Sequence, residues 1–354
     1  MAELLRHRRK GQGHDEGRRL VRDAAHRGDL RALRRSSGAP LSRRPPTDRH
    51  ALLHQLGGAR LQPARRPQPD VAVRDSGILA ADSVARRINR ESFLLLGGTA
   101  ALLMQVAHPL VAAGVDQHSD FRRSPIPRLM RTVDTTLAIV FGDRATAERA
   151  FRRIDRVHAP VRGSASDGRA YRARDPRLML WVQTTLVLTS LRWYETVMGP
   201  LAPAERASYW EEAKVFAGSL GVPHHLCPAT LADLEEYERV MLRTEVIPDA
   251  TAIAVARDVL RPLGPVPLPI YWANDAITAG LLPQPLRDAF ALRYGPTERR
   301  VHRAIVSAIQ LSRPVLPRWI TVVPQARRHE AVFRPSLGAD QAPGGFPLGS
   351  SDTK

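Results

Sequence analysis

Seven histidines lie between residues 76 and 335 of this chain: His108, His118, His158, His224, His225, His302 and His329. None sits in an H-E-x-x-H pair, and a single cysteine, Cys227, excludes both an internal disulfide and a cysteine-only zinc site. The G-x-S-x-G, G-x-x-x-x-G-K-[ST] and G-x-G-x-x-G patterns are absent, so nucleophile-elbow, phosphate-loop and dinucleotide chemistry have no support. Two groups remain. In "QVAHPLVAAGVDQHSDF", His108 and His118 flank a proline-kinked segment, with Asp116 and Asp120 close by. Nitrogen and carboxylate donors of this kind suit a metal-dependent hydrolase or oxygenase; the plainer reading is a pair of core or capping histidines bonded to backbone.

The second group joins "RLMRT" to "RVHAPVR". Arg128, Arg131 and Thr132 fall at i, i+3 and i+4, on one helical face. His158 follows about 26 residues later, where a returning antiparallel helix would bring it to the same space. Two guanidiniums beside an apolar helix need anions or solvent. Spacing alone favours an exposed basic face, with Arg149, Arg152, Arg153, Arg156 and Arg162 around the histidine.

The elements that must position these residues read as helices throughout. "DSVARRINRESFLLLGGTAALLMQVAHP" opens with Asp82 or Ser83 as N-cap and breaks at His108-Pro109. Its centre is apolar on every side, which marks a buried helix, and Gly97-Gly98 within it permits close approach of another helix or a flat ligand. Further helices follow Pro125, Asp143, Pro176, Pro203 and Thr230, the last with Asp233 in a capping-box spacing, and three more lie around "DATAIAVARDVL", "PQPLRDAFALRY" and "PTERRVHRAIVSAIQLS". "SASDGRAYRARDP" reads as a loop, and strand-like alternation is essentially absent. The expectation is an all-α fold: one globular helical domain over 76–335, a disordered Arg/Pro-rich tail over 1–75, and a flexible tail over 336–354.

A formal charge of +18 first suggests a nucleic-acid binder. Residues 1–75 hold 18 Lys+Arg against 8 Asp+Glu, so +10 of that excess sits in the tail and only +8 in the rest. Aromatics at 5% are too few for an extended base-stacking surface, so no specific nucleic-acid partner is expected. The N-terminal twin arginines lack the apolar stretch of a signal peptide. The longest apolar run, Phe93 to Ala107, falls short of the ~20 residues of a membrane span. A cytoplasmic protein is expected, with peripheral contact at a membrane surface left open.

The order of "GGTAALLMQVAHPLVAAGVDQHSDF", "PIPRLMRT", "RVHAPVRG", "YRARDPRLMLWVQTTL", "YWEEAKVFAGSLGVP" and "LPRWITVVPQARRHEAVFR" resembles the MpaB/latex-clearing-protein (rubber oxygenase) family from about Asp82 to Arg334. That resemblance implies an all-helical oxidoreductase with a haem pocket between core helices. It also implies haem b as cofactor and dioxygen acting on an apolar, isoprenoid-type substrate. His158 matches the proximal iron histidine, in an H-x-x-V-R context that includes Arg162. The family's Arg-x-x-Lys-Thr triad falls on Arg128, Arg131 and Thr132; His108 and His118 become pocket-lining candidates, and Arg128, Arg162 and Arg156 partners for the propionates. Two positions depart from the pattern. Arg131 stands where a lysine amine can ligate iron, and an arginine does not give up its proton in a protein, so the sixth position is expected open or water-bound. Gln183 stands where relatives often have histidine. The alternatives are the metal enzyme of His108, His118, Asp116 and Asp120, and a helical protein that holds haem or lipid without turnover.

Overall fold

Ser83 begins the ordered architecture by capping: its side chain accepts from the Arg86 N–H, and α1 runs Val84–Asn89. The computed structural model describes residues 77–264 and 269–333. The tails expected at 1–75 and 336–354 lie outside the described residues. α2 is Gly98–Val106, α3 Pro109–His118, α4 Pro125–Phe141 and α5 Arg144–His158. α6 is Pro176–Met198, α7 Pro203–Ser219, α8 Leu231–Thr244 and α9 Ala250–Leu260. α10 is Pro269–Leu281, α11 Gln284–Ala289, α12 Pro296–Ser312, α13 Arg318–Thr321 and α14 Pro324–Phe333. The all-α expectation holds.

Capping chemistry sets most boundaries. Asp143 accepts from the Thr146 N–H at 2.7 Å, and Thr230 and Asp233 exchange the two bonds of a capping box. α6 ends at Gly199, whose φ of 89° belongs to glycine. This 23-residue helix is the centre of the fold: its buried residues lie on nearly all sides, and α1, α2, α7, α8 and α12 pack around it. Trp181, Trp193 and Trp210 are fully buried about it; the Trp193 and Trp210 indoles donate to the Phe93 and Pro228 carbonyls at 2.9 and 3.0 Å.

Three expectations need correction. The helix expected from Ser83 to His108 is three pieces: α1, a 3-10 turn over Ser92–Gly97, and α2. The break comes at Glu91, which is extended, bridges Val322, and receives both arms of Arg313 at 2.8 and 2.9 Å. A tertiary ion pair overrides local helix preference here. "SASDGRAYRARDP" is not merely a loop, because Arg162–Ser164 and Ala170–Arg172 form an antiparallel hairpin turning at Gly168 (φ 84°). α10, α13 and α14 were not anticipated. Gly97 serves close approach: a Cβ there would touch the Trp193 ring at 3.0 Å. No single helix among the described residues is long and apolar enough to cross a membrane, although the bent pair Ser92–Val106 and Pro109–His118 passes on length and composition.

Candidate functional site

α4 and α5 form a hairpin joined through Gly142 and Asp143. Gly142 is required there, since a Cβ would run into the Ala138 carbonyl. Such a short link makes the helices antiparallel. Arg128, Arg131 and Thr132, in the first half of α4, therefore stand at the same end of the hairpin as His158, the last residue of α5. Thr132 Oγ1 donates to the Arg128 carbonyl at 3.1 Å, which commits its hydrogen to the helix and leaves the oxygen as an acceptor. Neither Arg128 nor Arg131 has an ion-pair partner among the described residues. Burial first, and then Arg131, holds the Arg128 guanidinium below its ordinary pKa, although the residue is only half-buried. Arg131 and Thr132, beside it, are exposed.

His158 has the same character. It is half-buried, and burial pushes its imidazole below the ordinary value; Asp155 opposes that shift and Arg174 adds to it. Its Nδ1 is buried with no hydrogen-bond partner. Beside the ring is a cavity of about 160 Å³ whose walls include Asp155, Arg174, Met179 and Gly221. Arg174 holds Asp155 at 2.6 Å, so the arginine that lines this cavity with the histidine is already paired. Arg174 and Met179 were not picked out from sequence; the only available signal was their place in the "YRARDPRLM" segment. On α4, Ile126, Leu129 and Met130 are 46, 42 and 48% exposed at i, i+3 and i+4, an apolar stripe left uncovered.

The other candidates lie elsewhere. His108 is buried and caps α3, its Nδ1 accepting from the Leu110 N–H at 3.2 Å; burial lowers its pKa. His118 closes the same helix and bonds through Nε2 to the Arg162 carbonyl at 3.1 Å, edge-on to Tyr171. It fastens α3 to the β-hairpin. Arg162 and Arg156 are exposed. Gln183 is buried on α6, its amide 3.5 Å from the Ala213 carbonyl. The metal centre of His108, His118, Asp116 and Asp120 is corrected by this geometry. The two histidines occupy opposite ends of a 10-residue helix, and Asp116 is paired with Arg122 at 2.8 Å. Among the described residues no three His, Cys, Asp or Glu side chains come together as a metal would require.

Residues 85–311 match the family described as ER-bound oxygenase mpaB/B'/Rubber oxygenase, catalytic domain. The chain belongs to that family; it is an oxygenase-type oxidoreductase, for which a substrate and dioxygen are the implied partners. Curated relatives include uncharacterized proteins of Mycobacterium bovis and Mycobacterium tuberculosis. Each is 28% identical over 242 residues, 63% of this chain and 91% of the relative. No solved structure matches.

Proposed function

We propose that this chain is a haem b-dependent oxygenase acting with dioxygen on an apolar, isoprenoid-type substrate, in which His158 would hold the iron. The observation that carries this reading is the state of His158: an imidazole held toward neutrality by burial, with one nitrogen unpartnered and the ring still reached by water. An iron ligand needs a neutral imidazole with one bare nitrogen. The neighbouring residues fit the group in kind. Arg128 brings positive charge that no carboxylate among the described residues answers, suited to a propionate, and Arg162 follows four residues after His158. Ile126, Leu129 and Met130 supply apolar wall. The partly open void of about 160 Å³ is room for a few waters at ~30 Å³ each, so a macrocycle would take the open side of the hairpin.

When bound, the haem supplies the activation of dioxygen. The chain's own residues bind and orient. Arg131 acts only as a hydrogen-bond donor, since a guanidinium offers no lone pair to a metal. Thr132, its hydrogen committed to the Arg128 carbonyl, acts as an acceptor. The α4 stripe holds an alkene and excludes water, while His108 and His118 keep their backbone bonds and stay out of the chemistry. The test is a pyridine haemochrome assay on the full chain expressed with added haem, followed by dioxygen uptake with a prenyl alcohol. A b-type spectrum with uptake is expected. No haem after adequate supply would sink the reading, and haem without uptake would make the protein a carrier.

A further inference from the structure

A second cavity, of about 600 Å³, lies far along the chain from His158, between α12 and the end of α6. Thr196, Tyr294, Arg299, His302, Arg303 and Ser307 line it. His302 is its foundation. The residue is 8% exposed, and its ring fits against Gly280 so closely that a Cβ there would run into the imidazole. Its Nδ1 bonds to the Tyr294 hydroxyl at 2.8 Å, while Nε2 is buried with no partner.

That asymmetry selects a tautomer. A buried N–H without an acceptor is rarer in proteins than a buried acceptor without a donor. The proton therefore belongs on Nδ1, which donates to the Tyr294 oxygen, and Nε2 is the bare lone pair. The Tyr294 O–H is then free to donate toward the cavity. Arg299 and Arg303, one helical turn apart, present two more donors, and neither has an acidic partner among the described residues. Glu298, the acid of the first turn of α12, is folded back to accept the Gly295 N–H at 2.8 Å. By contrast Arg287, also over the Tyr294 ring, is occupied by the Ala279 and Leu282 carbonyls.

The geometry points to a binding site for a phosphate-class oxyanion in this cleft, clamped by Arg299 and Arg303 and oriented by the Tyr294 hydroxyl. Two adjacent guanidiniums with a hydroxyl donor match the acceptor-only surface of such a group. The volume is about twenty times the ~30 Å³ share of a water, so the cleft takes an organic phosphate or diphosphate ester and not just the bare ion.

Calorimetric titration of the full chain with inorganic pyrophosphate tests the site, alongside co-sedimentation with phosphatidylcholine vesicles with and without phosphatidylglycerol. Saturable pyrophosphate binding is expected, weakened at least tenfold in R299Q/R303Q and several-fold in Y294F, with circular dichroism and haem content unchanged. Capture by phosphatidylglycerol vesicles alone, lost in R299Q/R303Q, would identify a lipid headgroup as the source of the anion. Three results overturn the proposal: neither probe binds, R299Q/R303Q binds as well as the parent, or R152Q/R153Q on the distant α5 surface weakens binding equally.

Discussion

Arg128 and His158 stand at the same end of one antiparallel helical hairpin, and the protein around each pushes its side chain toward the neutral form. The two groups differ in what that push achieves. An arginine stays charged regardless and becomes a cation in need of an anion. A histidine becomes a neutral base with a free nitrogen.

Under the proposed function, Arg131 is where this chain departs from the lysine of its family's pattern. Since a guanidinium does not ligate iron, the haem-loaded protein should show a high-spin or water-bound spectrum. R131K should shift the loaded protein toward a six-coordinate low-spin spectrum, with little change in haem content. Identical spectra for the two would show that residue 131 is not close to the iron.

Acid should weaken the fold through its buried histidines. Burial lowers the pKa of His108, His158 and His302 from the ordinary 6.5. The unfolded chain therefore binds more protons than the native one just below pH 6.5, so stability falls as pH drops through that value. The loss levels off below the lowered native pKa values. Urea denaturation at pH 7.5, 6.5 and 5.5 checks this, with H302Q expected to reduce the slope; a flat profile would contradict it.

The Gly280 slot should tolerate no side chain. Gly280→Ala drives a methyl into the His302 ring, and overpacking of this kind costs about 1–3 kcal/mol. The measurement is the urea midpoint, and the combined change with His302→Ala should recover part of the loss. If Gly280→Ala is neutral by itself, the ring is not held as described.

Glu91 should be a sensitive charge. It is 3% exposed and held by both arms of Arg313, 222 residues away. Arg313→Ala leaves that carboxylate only the longer contact of Arg90 at 3.7 Å, for a loss of roughly 1–3 kcal/mol once the partial exposure of the arginine is allowed for. Thermal unfolding of the variant checks it.

Local chemistry was legible wherever a cap or a periodic stripe determined the structure. Asp143, Thr230 and the run from Pro176 to Gly199 mark their helices in the sequence, and the separation of Arg128 from His158 implies the returning hairpin. What stayed hidden depends on partners distant in sequence. Glu91 reads as helical until Arg313 and Val322 reach it. α10 hides because its proline-rich approach, "PVPLP", masks the periodicity that follows. His302 looks like any helical histidine until Gly280 and Tyr294 are seen to enclose it. For His108 and His118 the plainer of the two readings, capping or core histidines bonded to backbone, is the one the contacts show.

The most direct test of the central claim is haem retention, read as the Soret band per polypeptide, in the parent, His158→Ala and His108→Ala. The account predicts near-complete loss in His158→Ala, with the fold intact by circular dichroism, and retention in His108→Ala. Full retention in His158→Ala, or loss confined to His108→Ala, would contradict it.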